Sequence, residues 1–143
     1  MGRWKNIVVG VDGSPGSRTA LNWAAAEAAD HGADLVVINV WEHTLPPPAG
    51  SVSVSARYVP DDSQRTAEDL VELIREELGE NPAMLVQPRV KEGNPAKVLI
   101  EQSEDADLLV VGTRGHGGFR GLVLGSVSQH VAGYAKCPVT VVR

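Results

Sequence analysis

The 143-residue chain is short of cysteine, of long apolar runs and of positive charge, and each shortage removes a class of protein. Its single thiol, Cys137, cannot close an internal disulfide, and one thiol without well-spaced histidines does not build a zinc site. Nowhere do about 18 apolar residues follow one another, the length that a membrane helix needs. The opening Met1-Gly2-Arg3-Trp4-Lys5 runs directly into a strand-like segment, with no signal peptide visible. Lys plus Arg total 13 against 18 Asp plus Glu, a formal net charge of −5 that argues against a general phosphate-backbone binder. These absences predict a soluble cytoplasmic protein with neither a membrane nor a nucleic-acid partner. What remains is 43% hydrophobic and 22% charged, the usage of a globular chain, at a length that predicts one domain over residues 1–143.

Five short runs rich in β-branched residues are strand candidates: Ile7 to Val11, Leu35 to Trp41, Met84 to Val90, Leu108 to Val111 and Val139 to Val142. Segments with helical spacing lie between them, so the chain alternates β and α throughout. That alternation predicts an α/β fold with a parallel sheet and helices on both faces. Ser14 as N-cap with Pro15 behind it opens the first helix, Gly32 ends it, and Leu21, Ala24, Ala25 and Ala28 share a face. The second helix starts near Asp61 or Asp62 and stops at Gly79, with Ala67, Leu70, Val71, Ile74 and Leu78 at helical spacing. Asn94-Pro95 repeats the cap-plus-proline start for a third helix carrying Val98, Leu99 and Ile100. The last helix begins near Ser126 and ends before Pro138.

Strand order is partly legible as well. Pro88 removes a ladder donor and Gln87 and Arg89 are polar, which places the third strand at an edge; the first, second and fourth are nearly all apolar and belong at the centre. The order 3-2-1-4-5 satisfies both conditions. In such a three-layer α/β/α, Rossmann-like sandwich, a crevice opens at the carboxyl ends of strands one and four, where the crossovers turn to opposite faces. The segment 42–60, with Pro46-Pro47-Pro48, Gly50 and several serines, reads as a loop, either a lid or an insertion without a role.

Two glycine-rich turns fall at those two strand ends. The first is Gly10-Val11-Asp12-Gly13-Ser14-Pro15-Gly16-Ser17. The second is Gly112-Thr113-Arg114-Gly115-His116-Gly117-Gly118, followed by Gly125-Ser126. Glycines let backbone N–H groups approach an anion closely, and Gly125-Ser126 sets amides and a hydroxyl at a helix N-terminus, a phosphate cradle by composition. Arg114 and Arg120 add local positive charge to an acidic chain. The common nucleotide signatures fail: there is no G-x-x-x-x-G-K-[ST] and no G-x-G-x-x-G after the first strand.

The spacing Gly112-x2-Gly115-x9-Gly125-Ser126 is present, and with Ile7-Val8-Val9-Gly10-Val11-Asp12-Gly13-Ser14, Gly93-Asn94-Pro95-Ala96 and Cys137-Pro138-Val139 the chain resembles the nucleotide-binding branch of the universal stress protein family over nearly all its length. The resemblance implies an adenine nucleotide, ATP, between strands one and four: Asp12 at the ribose, backbone at Val40 against adenine, Gly112 and Gly115 along ribose and phosphates, and Gly125, Ser126 and the Val127 amide on the outer phosphates, with Ser128 a weaker candidate. His116 is placed to offer its backbone amide. Mg2+ would bridge phosphate oxygens rather than occupy a protein cage. The resemblance also implies a homodimer, in keeping with the last strand, whose apolar edge would be exposed in a monomer.

Plainer readings stand beside these. Asp12 could only close a turn, the glycines could be punctuation, and Arg114 and Arg120 could be solvated. His31, His43 and His130 lack metal-ligand spacing, Cys137 reads as a small buried hydrophobe, and Glu101, Glu104, Asp105 and Asp107 read as a solvated helix end. The chain is expected to be a nucleotide-sensing regulatory module in the stress response. The alternatives are a slow ATP-hydrolysing enzyme, for which no supported general base is visible, and a cyclic AMP-binding protein.

Overall fold

Strands β1 (Asn6–Gly10), β2 (Asp34–Trp41), β3 (Val86–Glu92), β4 (Leu108–Gly112) and β5 (Val139–Val142) alternate with helices α1 (Pro15–His31), α2 (Asp62–Leu78), α3 (Pro95–Ser103) and α4 (Ser126–Tyr134) in a computed structural model. The structure describes residues 3–42, 62–113 and 125–143, with the side chains of 62–65 outside that description. The expected segment 42–60 therefore lies almost wholly outside it, as do Arg114, Gly115, His116 and Arg120.

The five strands form one sheet in the order β3-β2-β1-β4-β5, every pair parallel, as the sequence predicts. Because successive side chains on a strand point to opposite faces, each central strand feeds two cores. Ile7 and Val9, Leu35 and Val37, and Leu108 and Val110 face α1 and α2. Val8, Val36, Ile38, Leu109 and Val111 face α3 and α4. Burial on both faces is why these strands are continuous apolar runs without alternation.

The capping residues act as expected. Ser14 accepts a hydrogen bond from the Ser17 N–H, Asn94 accepts one from the Lys97 N–H, and Gly32 closes α1 in the left-handed conformation at φ 65°. Leu21, Ala24, Ala25 and Ala28 are buried. On α2 the face differs from the expected one. Leu70, Leu73 and Ile74 are buried, whereas Val71 is 53% exposed. Leu73 stands three residues after Leu70 and beside Ile74, so the helix turns that trio inward and Val71 falls on its flank.

At the far end of the sheet Asp107 also departs from expectation. Asp107 is no loose helix end: its Oδ2 accepts the backbone N–H groups of Lys5 (2.8 Å) and Asn6 (2.9 Å), tying β1 to the start of β4. These two donors hold its carboxyl below the ordinary aspartate range. Cys137 is half-buried against the α3/α4 core, and burial pushes its thiol up, which keeps it protonated and poorly nucleophilic.

Candidate nucleotide site

Both glycine-rich segments begin at the carboxyl edge of the sheet, on adjacent strands. β1 and β4 pair through Ile7–Leu108, Val8–Leu109 and Val9–Val110, so the residues that follow Gly10 and Gly112 leave the sheet side by side. Here the crossovers diverge, α1 to one face and α4 to the other.

The first turn is held from within. Gly13 adopts φ 85°, a conformation that a side chain would strain. Asp12 Oδ1 accepts both the Ser14 N–H (2.9 Å) and the Ser14 hydroxyl, while the Asp12 N–H donates to Ser17 Oγ (3.2 Å). Beneath it, the Val11 N–H donates to the Ile38 carbonyl and Asn39 Nδ2 donates to the Val11 carbonyl, each at 2.9 Å. Asn39 therefore locks the end of β1 to the end of β2. Sequence reasoning passed over it; a lone amide inside the apolar run Leu35 to Val40 was the available signal.

The second turn begins where Gly112 presses on α1. A Cβ on Gly112 would lie 2.9 Å from the Gly16 carbonyl oxygen, nearer than real side chains approach backbone, so glycine is required by close approach. The next residue, Thr113, donates its N–H to the Val142 carbonyl (3.0 Å) and accepts from the Gly125 N–H. Ser128, 2% exposed, has its hydroxyl 2.9 Å from the Thr113 carbonyl and 3.1 Å from that of Gly125. Its one proton is committed to these carbonyls, which makes Ser128 a latch across the turn.

The start of α4 is built differently from α1 and α3. Its N-cap is Gly125, at φ −64° and ψ 161°, and among the described residues no side chain caps it. A helix N-terminus leaves its first N–H groups without intrahelical acceptors, and among the described residues no carboxylate or hydroxyl cap meets them. Asp12, Gly112, Gly125, Ser126 and Val127 are thus gathered at one end of the sheet. Val40, half-buried at the end of β2, sits on the other side of β1. Gly115 and His116 fall outside the described residues.

Beside Asp12, toward α2, a recess of about 400 Å³ opens between Asn39, Gly13, Arg18 and the α2 residues Asp69 and Glu76. Carboxylates outnumber guanidinium on its walls, so a polyanion is disfavoured there relative to the α4 terminus. Among the described residues no group of three or more His, Cys, Asp or Glu is arranged to hold a metal ion. The described histidines are engaged elsewhere: His31 Nδ1 accepts from the Trp4 N–H and its Nε2 meets Glu27, while the His130 ring lies against Tyr134.

The fold has known counterparts. The profile of the universal stress protein family matches residues 3–143, and the chain belongs to that family. A universal stress protein of Mycolicibacterium smegmatis is 38% identical over 139 residues, covering 96% of this chain and 45% of that protein, so the chain spans under half the length of this relative. Among solved structures, UspA from Lactobacillus plantarum superposes with a TM-score of 0.82 at 24% identity over the whole of both chains, a likeness of fold. A universal stress protein in complex with cAMP superposes with a TM-score of 0.68 at 26% identity, covering 99% of this chain and 98% of that one. Among the described residues no helix is long and apolar enough to cross a membrane.

Proposed function

We propose that residues 1–143 form one cytoplasmic domain that binds an adenine nucleotide, ATP, between β1 and β4 and serves as a nucleotide-sensing regulatory module in the stress response. The observation that carries this reading is the uncapped start of α4 beside the Gly112 end of β4, at the point where the crossovers part. Free N–H groups and the positive end of the helix dipole meet there, the chemistry that a phosphate takes up.

Each residue then has a task. The Val127 and Ser126 amides, the Gly125 turn and the Ser126 hydroxyl receive the outer phosphates. Gly112 and Gly115 allow backbone to approach ribose and phosphate, the His116 amide adds a donor, Asp12 takes a ribose hydroxyl, and backbone at Val40 meets adenine. The acid-lined recess beside Asp12 favours the uncharged base and sugar over phosphate, which orients the ligand with its charge toward α4. Mg2+ bound with ATP would neutralise phosphate charge, held by phosphate oxygens rather than by a carboxylate cage. A bound and a free state that differ in free energy are what a sensor requires.

Cyclic AMP is the second reading, favoured by the related structure in complex with cAMP. It would use the same base and ribose end and fewer donors of α4. The domain is further proposed to pair with its own copy through β5, whose four residues are all half-buried and whose outer edge meets no further strand among the described residues.

Calorimetric titration with ATP, ADP, AMP and cyclic AMP, with phosphate release followed in parallel, tests the reading. ATP is expected to bind most tightly with little turnover. Fast phosphate release would replace the module by an enzyme, and no heat with any of the four would overturn nucleotide binding. Sedimentation at micromolar concentration is expected to give the dimer mass; a monomer there rejects the β5 pairing.

A further inference from the structure

Arg18 stands in the second turn of α1 and reaches in two directions. Its Nε lies 3.4 Å from the Gly13 carbonyl, within the turn that carries Asp12. Its Nη1 lies 3.0 Å from Glu76 Oε2 and 3.0 Å from Glu77 Oε1, both in the last turns of α2. Asn22, one turn further along α1, donates to the other oxygen of Glu77 at 2.7 Å. One guanidinium thus joins three polypeptide segments, and it forms a wall of the recess beside Asp12.

Several features make this more than a surface ion pair. A guanidinium is planar, so its orientation toward the carboxylates also sets the aim of Nε at Gly13. The carboxylates raise the proton affinity of Arg18, and Asn22 with Arg18 lowers that of Glu77, so both stay charged together. The apolar anchorage of α2 rests on the neighbouring buried trio Leu70, Leu73 and Ile74. A shift of that helix must therefore either break the Arg18 clasp or pull on the Gly13 carbonyl, in a turn whose neighbours are already held by the Asp12–Ser14 and Asp12–Ser17 hydrogen bonds.

We propose that Arg18 is a positioning residue that couples the Asp12 turn to α2, so that a ligand held at the turn and the setting of α2 influence one another. The ligand half of this statement rests on the nucleotide reading above; the coupling of turn to helix rests on the geometry alone. Coupling is reciprocal, so whatever draws α2 toward another position would also alter ligand affinity.

Amide hydrogen exchange on the whole chain tests it in two arms. Without ligand, Glu76→Gln with Glu77→Gln is expected to speed exchange at the Ser14 and Ser17 amides by about fivefold, and to add nothing in an Arg18→Gln background. Unchanged exchange at the turn, or an equal increase in both backgrounds, overturns the coupling. With saturating ATP, wild type is expected to gain protection at the turn and across residues 66–78, Arg18→Gln at the turn alone, and Arg18→Lys part of the way back. Protection of α2 that survives Arg18→Gln overturns the proposal. Should calorimetry find no nucleotide bound to wild type, the nucleotide reading falls and the ligand-free arm still decides the coupling.

Discussion

Two helices start at the same edge of the sheet, on neighbouring strands, and they are finished in opposite ways. α1 is closed by its own side chains: Ser14 caps it, Asp12 holds Ser14, and Ser17 holds the Asp12 amide. α4 starts at a glycine, with no side-chain cap among the described residues. Both meet the same physical demand, acceptors for the first N–H groups of a helix, and the difference shows which terminus is structurally complete and which has its donors in reserve. A protein that needed only stability would cap both.

Gly112, at the end of β4, abuts the start of α1, and filling it should have the largest effect. Gly112→Val drives a side chain into the Gly16 carbonyl, and overpacking against backbone costs on the order of 1–3 kcal/mol. Urea denaturation should show that loss, and calorimetry should show nucleotide binding abolished. Retained binding with full stability would mean that the ends of β4 and α1 do not touch as described.

Reversing the caps sharpens the contrast. Gly125→Asp gives α4 a carboxylate cap, so stability should rise by roughly a few tenths of a kcal/mol while ATP affinity falls about tenfold, the carboxylate having taken the donors. Ser14→Ala should do the opposite in stability, costing about 1 kcal/mol for the lost cap. Paired denaturation and titration of the two variants check the signs; stability and affinity moving together in Gly125→Asp would remove phosphate from the α4 terminus.

The smallest effect lies at the opposite edge of the sheet, where Asp107 holds the Lys5 and Asn6 amides. Its carboxyl titrates below the ordinary value in the folded chain, so it contributes stability that is present above the unfolded value and is lost as pH falls through the folded one. The site is open to solvent, and the contribution is held to about 1 kcal/mol or less. Thermal unfolding between about pH 5 and pH 2 should fall less steeply in Asp107→Asn than in wild type. Equal slopes would show that the clasp is not charge-dependent.

Much of this architecture was legible in the residues. Pro88 with its polar neighbours marked the edge strand, the caps Ser14 and Asn94 marked helix starts, and the glycines marked both turns. Val71 was misread because helical spacing identifies a stripe about two residues wide and does not say which flank packs. Asn39 and Asp107 were missed because their partners, Val11 and the Lys5 and Asn6 amides, lie 28 and about 100 positions away.

The sequence by itself determined the alternation of strands and helices, their caps and the two glycine turns, since periodicity, capping and backbone freedom are properties of a few consecutive residues. Tertiary structure alone decided that Gly112 abuts Gly16, that Arg18 spans from Gly13 to Glu76 and Glu77, and that Asp107 clasps β1. Such contacts arise when parallel strands are joined by crossovers, which bring residues from opposite ends of the chain within hydrogen-bond distance and leave no local pattern behind.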